Sequence, residues 1–220
     1  MPHKVLRKVS HTSRRQEYSA STRKALLDVA AGLFAERGYA GTSLDEIVAG
    51  ARVTKGALYH HFTGKQAVFE AVFEDVEARC AKSIARAVRK TSDPWDKAMA
   101  GLRAFLGALQ DPGYQRVVMR DGPAVLGYER YREQEERSTY GIVQDIVAAV
   151  LGAYDMSESM VEAFSRIFFG AMASAGLAVS TADDPQQASA DVEAAIGFML
   201  QGMRALADTG AEPGALPTSG

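Results

Sequence analysis

The sequence predicts an all-α protein in two parts: an N-terminal three-helix helix-turn-helix unit and a larger C-terminal helical domain behind it. Three observations carry this. Apolar residues recur at three- and four-residue spacing in segment after segment, as amphipathic helices require. Helix-start signals stand before those segments, at Ser43, Thr54, Asp93-Pro94, Asp111-Pro112, Ser157 and Asp184-Pro185. Beyond the N-terminal unit no stretch alternates apolar and polar residues as a half-buried strand would. At 220 residues there is core enough for one large domain or two modest ones. The boundaries read as a flexible basic arm over 1–20, the helix-turn-helix unit over 21–66, the second helical domain over 67–209 and a disordered tail over 210–220.

In the first unit, Leu26, Val29, Ala30, Leu33 and Phe34 form one face of a helix from Arg23 to Arg37. Ser19 or Ser21 can start it, and Gly38 suits its left-handed end. Ser43 and Glu46 make a capping-box pattern ahead of a helix that turns Leu44, Ile47 and Val48 inward. Arg52 and Val53 interrupt it, and Thr54 caps a second helix from Lys55 to about His61. A helix this short is unstable alone. It must rest on its neighbours through Ala57, Leu58 and Phe62 while displaying Lys55, Gly56, Tyr59 and His60 to something anionic.

Several motifs in register, FAERGY, TSLDEI, KGALYHHF and the following Lys65, give Thr22 to Val72 its character. This stretch resembles the DNA-binding domain of the tetracycline-repressor (TetR) family. The resemblance implies a second helix that enters the major groove with its N-terminal residues toward the bases. It implies DNA contacts from Thr42, Thr54, Lys55, Gly56, Tyr59, His60 and Lys65. Gly56 would allow close approach of the backbone, Tyr59 and His60 would bond phosphates, and Lys55 and Lys65 would add charge. Thr42 would hold a phosphate at the start of the preceding helix. Arg52 departs from the glycine usual in this turn, and serves either as a solvated turn residue or as a further phosphate contact.

Charge divides the chain in the same place. Up to Lys65 eleven basic residues face five acidic ones, whereas the remainder carries 14 basic and 22 acidic, for a net charge of −2 overall. Such asymmetry suits a nucleic-acid-facing end. The lone Cys80 excludes an intrachain disulfide and a cysteine metal cluster, and serves either packing or redox sensing. No apolar run is expected to reach the ~20 residues that span a bilayer, and the N-terminus lacks the apolar core of a signal peptide. A cytoplasmic location is therefore expected. The adjacent His60 and His61 point different ways on a helix and do not form a metal pair. There is no nucleophile elbow, no phosphate-binding glycine loop and no implied cofactor, so an enzyme is not expected.

Downstream, Val68, Phe69, Val72, Phe73, Val76 and Ile84 predict one long helix from Lys65 to about Lys90, joining the two parts. Helices from Pro94 to Gln110 and from Pro112 to Asp121 follow, then a long one from Pro123 to Ala153. The last two run from Ser157 to Thr181 and from Pro185 to Asp208. Asp121 to Glu133 resembles one branch of the same family. The rings and thioethers of Trp95, Phe105, Tyr114, Met119, Tyr128, Tyr131 and Phe168 either line an apolar effector pocket or pack as ordinary core. Arg120 and Asp121 either orient a ligand or form a surface pair. Small residues in the last two helices permit close helix approach. The family resemblance implies that these helices pair with their symmetry mates in a homodimer, through Gly170, Ala173, Gly176, Met199 and Met203. An intrachain core is the other reading of that texture. The expected function is a homodimeric repressor released from a palindromic operator in double-stranded DNA by a small, largely apolar effector. The alternative is a ligand-independent DNA-binding protein of the same fold.

Overall fold

A computed structural model describes residues 5–152 and 156–209, with side chains from Gln16 onward except Ala207. Helix α1 spans Val5–Arg37 and ends where Gly38 takes φ +73° and returns its N–H to Phe34 O at 2.9 Å. A side chain at Gly38 would be strained there and would also meet the Arg116 guanidinium. The expected flexible arm is instead helical from residue 5 onward. No glycine or proline lies between Val5 and Arg23, so turns add at little cost to a helix already nucleated by its packed end. Residues 1–4 and the tail expected to be disordered lie outside the described residues.

Helix α2 (Leu44–Ala51) carries the capping box: Ser43 Oγ accepts from the Glu46 N–H (3.2 Å) and Glu46 Oε2 accepts from the Ser43 N–H (2.9 Å). The turn after it places Arg52 at φ 54°, ψ 43°, the only non-glycine residue with positive φ among those described. Arg52→Gly is therefore expected to stabilise the fold by roughly 0.5–1 kcal/mol, the left-handed penalty less the added freedom of the unfolded chain. Urea unfolding checks this, and a loss of stability would show that the arginine side chain supports the turn. Helix α3 (Lys55–His61) begins at Thr54, whose Oγ1 accepts from the Ala57 N–H at 3.2 Å.

Helix α4 (Lys65–Val88) belongs to both parts of the molecule, so the expected boundary near residue 66 falls inside the element that unites them. Its first turns bring Val68 and Phe69 under the head, where Phe69 meets Phe34 and Tyr39 edge-on at 5.2 Å each. Its later turns supply Val76, Cys80 and Ile84 to the second domain. One apolar core runs from Leu26 and Phe34 through Phe73 to Leu106, Val179 and Leu200.

Asp93 and Asp111 cap α5 (Pro94–Ala108) and α6 (Pro112–Tyr114) as the Asp-Pro pairs predict, accepting from the Asp96 and Tyr114 N–H at 2.9 and 2.8 Å. The helix expected to end near Asp121 continues from α6 as a π-helical segment, Gln115–Asp121, and runs into α7 (Gly122–Leu126). The single helix expected from Pro123 is broken at Gly127, whose φ of 79° turns the chain into α8 (Tyr128–Glu135). A second π-helical segment, Glu136–Tyr140, joins α8 to α9 (Gly141–Leu151). Ser157 caps α10 (Glu158–Thr181), and Asp184 accepts from the first N–H groups of α11 (Pro185–Asp208). All described elements are helices.

Helix α10 departs from one expectation, being long and apolar enough to cross a membrane by length and composition. Its apolar residues divide between the core, through Phe169, Ala175 and Val179, and an outward row containing Ile167 and Leu177.

Candidate nucleic-acid interface and ligand cavity

The N-terminal head presents α3. Tyr59 is 58% exposed, and Lys55, Gly56 and His60 are exposed beside it, while Leu58 is fully buried beneath. A Cβ at Gly56 would meet nothing nearer than Thr54 Oγ1 at 3.9 Å. The fold does not require glycine there, and its absence of a side chain leaves this part of the helix open to close approach. Lys55 Nζ lies 2.7 Å from Asp45 Oδ1, and that hydrogen bond raises the lysine pKa, so its charge is secure on an exposed side chain. Thr54 is occupied as a helix cap, yet exposed.

Two expected DNA contacts are placed otherwise. Thr42 is buried, and its hydroxyl donates to Gly38 O (2.9 Å) and Leu33 O (3.3 Å). Lys65 Nζ donates to Tyr39 O (2.7 Å) and Thr42 O (2.8 Å) and sits 4.2 Å from the centre of the Tyr39 ring. The acceptors lie near the end of α1 and in the loop from Gly38 to Thr42 that follows it, so these two side chains tie that loop down. Both lock the head together in this structure instead of facing outward. Arg23, exposed with its guanidinium 5.4 Å from the centre of the Phe62 ring, adds a cation at the far end of α3 that sequence reading did not single out. Only the packing of α1 across α3 reveals it.

Polar contacts fasten this head to the second domain. The Tyr39 N–H donates to Asp121 Oδ2 (2.7 Å), and Arg116 donates to Arg37 O (3.2 Å), both from the first π-helical segment. Gln66 donates to Val125 O, Gln134 to Glu74, and Arg130 pairs with Glu70. Asp121 is thus a strut between the domains; sequence reading had offered it as a ligand contact or a surface pair.

Behind the head, α4, α5, the end of α8, the second π-helical segment, α9, α10 and α11 line an apolar cavity of about 120 Å³. Of the rings and thioethers named from sequence, Phe105 and Phe168 line it. Trp95 and Met119 pack against the core at other places. Tyr114 is buried and donates to Glu77 (2.9 Å), Tyr131 lies against Phe73 and donates to Glu135 (2.9 Å), and Tyr128 is 74% exposed. The wall consists largely of aliphatic residues that were missed, above all Ile142, Ile146, Val147 and Val150 of α9. The apolar run IVQDIVAAVL was their signal, but aromatic count drew attention elsewhere.

Glu77 is 3% exposed and also accepts from Ser138 Oγ at 2.5 Å; burial raises its carboxyl pKa against the pull of those two hydroxyls. Burial likewise pushes the Cys80 thiol up to about 12, which leaves it a packing residue and not a reactive one. Among the described residues no histidine, cysteine or carboxylate cluster could hold a metal ion.

The residues expected at a dimer interface separate into two groups. Gly170 and Met199 face outward, in line with Ile167, Leu177, Phe198 (79% exposed) and Leu206. Ala173 and Met203 line the cavity, and Gly176 is buried, where a Cβ would come within 3.1 Å of the Met119 methyl and 3.2 Å of Phe105. Ala173 and Gly176 face the chain's own interior because the small residues of α10 populate more than one helix face, and Met203 reaches the cavity from α11.

A helix-turn-helix head with an exposed, glycine-bearing second helix, fastened to an all-helical domain around a cavity, defines a DNA-binding regulator with an attached helical domain. Comparisons agree. Residues 26–72 match the bacterial regulatory proteins of the tetR family, and residues 95–203 match the tetracyclin repressor-like C-terminal domain. A TetR-family transcriptional regulator from Pectobacterium atrosepticum has a solved structure 31% identical to this chain, with a TM-score of 0.74 over 84% of this chain and 95% of that one. The transcriptional repressor KstR2 of Mycolicibacterium smegmatis is 28% identical over 67% of this chain and 75% of its own length. The transposon Tn10 TetC protein of Escherichia coli is 41% identical over 30% of this chain, and the chain spans only 34% of that protein's length. This chain belongs to the TetR family of transcriptional regulators and is not an enzyme.

Proposed function

We propose that this protein is a cytoplasmic homodimeric repressor that holds a palindromic operator and leaves it when a small apolar molecule enters the cavity. The observation that carries the reading is the pairing of an exposed α3, open at Gly56, with an apolar cavity on the far side of the shared helix α4. Ile84 of α4 lies in the cavity wall, and Phe69 of the same helix lies in the core of the head. A ligand that shifts α4, or the Asp121 and Arg116 struts, re-aims the heads. Two heads read successive major grooves only at one spacing, so ligand and DNA favour different arrangements of the dimer and each weakens the other. KstR2 carries the name of a repressor, which supports that sign of regulation here.

The test is operator binding followed by fluorescence anisotropy across a salt series. Lys55→Ala is expected to reduce the slope of log K against log salt by about 1, as removal of one phosphate contact does. Tyr59→Ala is expected to cost about 1–3 kcal/mol of affinity if its hydroxyl bonds a phosphate in the complex. Unchanged slope and affinity in both variants would remove α3 from the interface.

A further inference from the structure

The cavity is not uniformly apolar. Its wall is aliphatic and aromatic except where Glu135, the last residue of α8, and Thr139, in the second π-helical segment, stand one turn apart. Glu135 Oε1 accepts from the Tyr131 hydroxyl at 2.9 Å, but its buried Oε2 has no hydrogen-bond partner. Arg132 Nη1 lies 3.6 Å from that oxygen, beyond hydrogen-bond length, and the same guanidinium is shared with Glu136 at 3.6 Å and rests over the Phe169 ring. Thr139 Oγ1 donates to Glu135 O, which leaves its own lone pairs able to accept. Glu77 is a second buried carboxylate in this region, and Arg137 is exposed to solvent. Three carboxylates, Glu77, Glu135 and Glu136, thus lie near the half-buried guanidinium of Arg132, and the exposed Arg166 also acts on Glu136.

Resting on the effector reading above, we propose that the cavity takes an amphiphilic amine, an apolar carbon body with one protonated amino head that donates to Glu135 and Thr139. A buried carboxylate without its full set of donors is costly, and a cationic N–H donor forms the stronger, charge-assisted bond with it. Burial, with Glu77 and Glu136 adding to it, raises the Glu135 pKa against the Tyr131 hydroxyl and Arg132, and a bound cation reverses that cost. A ligand with a carboxylate head would meet like charge at the same place. The apolar remainder of the wall, including Phe105, Ile146 and Phe168, accommodates the carbon body.

Octylamine, octan-1-ol and octanoate differ only in the head, and titration calorimetry at neutral pH on the full chain compares them. The amine is expected to bind about tenfold more tightly than the alcohol, with octanoate the weakest, as a charge-assisted bond to a buried carboxylate predicts. Glu135→Gln keeps the shape and is expected to bring the amine to the affinity of the alcohol, while the alcohol itself is unaffected. The comparison in the unsubstituted protein stands even if that variant misfolds. Octanoate binding as tightly as octylamine, or an amine preference that survives Glu135→Gln, would overturn this inference and leave the effector reading intact. Failure of all three to bind would overturn both.

Discussion

Phe69→Ala is expected to destabilise the protein by about 3–5 kcal/mol, the range for emptying a buried phenylalanine site. The ring is fully buried, with Phe34 and Tyr39 both edge-on to it at 5.2 Å. A loss of this size is a large part of the about 5–15 kcal/mol that holds a typical domain together. The effect falls on the head first, because Phe34 ends α1, Tyr39 opens the loop into α2 and Phe69 sits one turn into α4. DNA binding should therefore fall even at temperatures where much of the helical signal survives. Urea unfolding measures the change, with Tyr128→Ala as a control on a ring that is 74% exposed and expected to shift stability by less than about 0.5 kcal/mol. A Phe69→Ala protein within 1 kcal/mol of the parent would contradict the packing described here, given the usual cost of such cavities (~3 kcal/mol or more).

Phe198→Glu is expected to separate the proposed homodimer into folded monomers. Phe198 is 79% exposed on its own chain, and Ile167, Gly170 and Leu177 of α10 and Met199 and Leu206 of α11 are exposed as well. Burying one such side chain contributes about 1.5–3 kcal/mol, and a two-fold interface counts each substitution twice. Replacing the ring by a carboxylate also places unpaired charge in the contact. The opposite behaviour is expected of Gly176→Arg. Gly176 is packed against Met119 and Phe105 of its own chain, so a long side chain there disrupts the fold and not the association. Light scattering with circular dichroism separates the two outcomes. A parent protein that is monomeric at micromolar concentration, or a dimeric Phe198→Glu variant, would contradict the assignment of this face.

The head was legible because its signals are local. The Ser43–Glu46 box and the Thr54 cap each involve neighbours in sequence, and each has its expected geometry. Helix starts at Asp93, Asp111, Ser157 and Asp184 were legible for the same reason. Residue roles that depend on tertiary neighbours were not. The linear motif offers Thr42 and Lys65 as phosphate ligands, whereas the carbonyls that engage them, near the end of α1 and in the loop after it, are set by the fold of the head. Most of the cavity wall escaped because aliphatic residues of α9 build it while the tyrosines named from sequence are engaged elsewhere or exposed. Tyr114 and Tyr131 hydrogen-bond the carboxylates Glu77 and Glu135, an arrangement set by how α4, α6 and α8 meet. Gly127 shows a further limit, since a glycine inside an otherwise helical pattern does not announce whether it is tolerated or turns the chain.

The most direct test of the central claim is the affinity of the purified protein for duplexes from the DNA flanking its own gene, measured by anisotropy beside random duplexes at one fixed salt concentration. A palindromic fragment bound at least about tenfold more tightly than random sequence, with two protomers per site, is the predicted result. Equal affinity for every fragment would contradict the account.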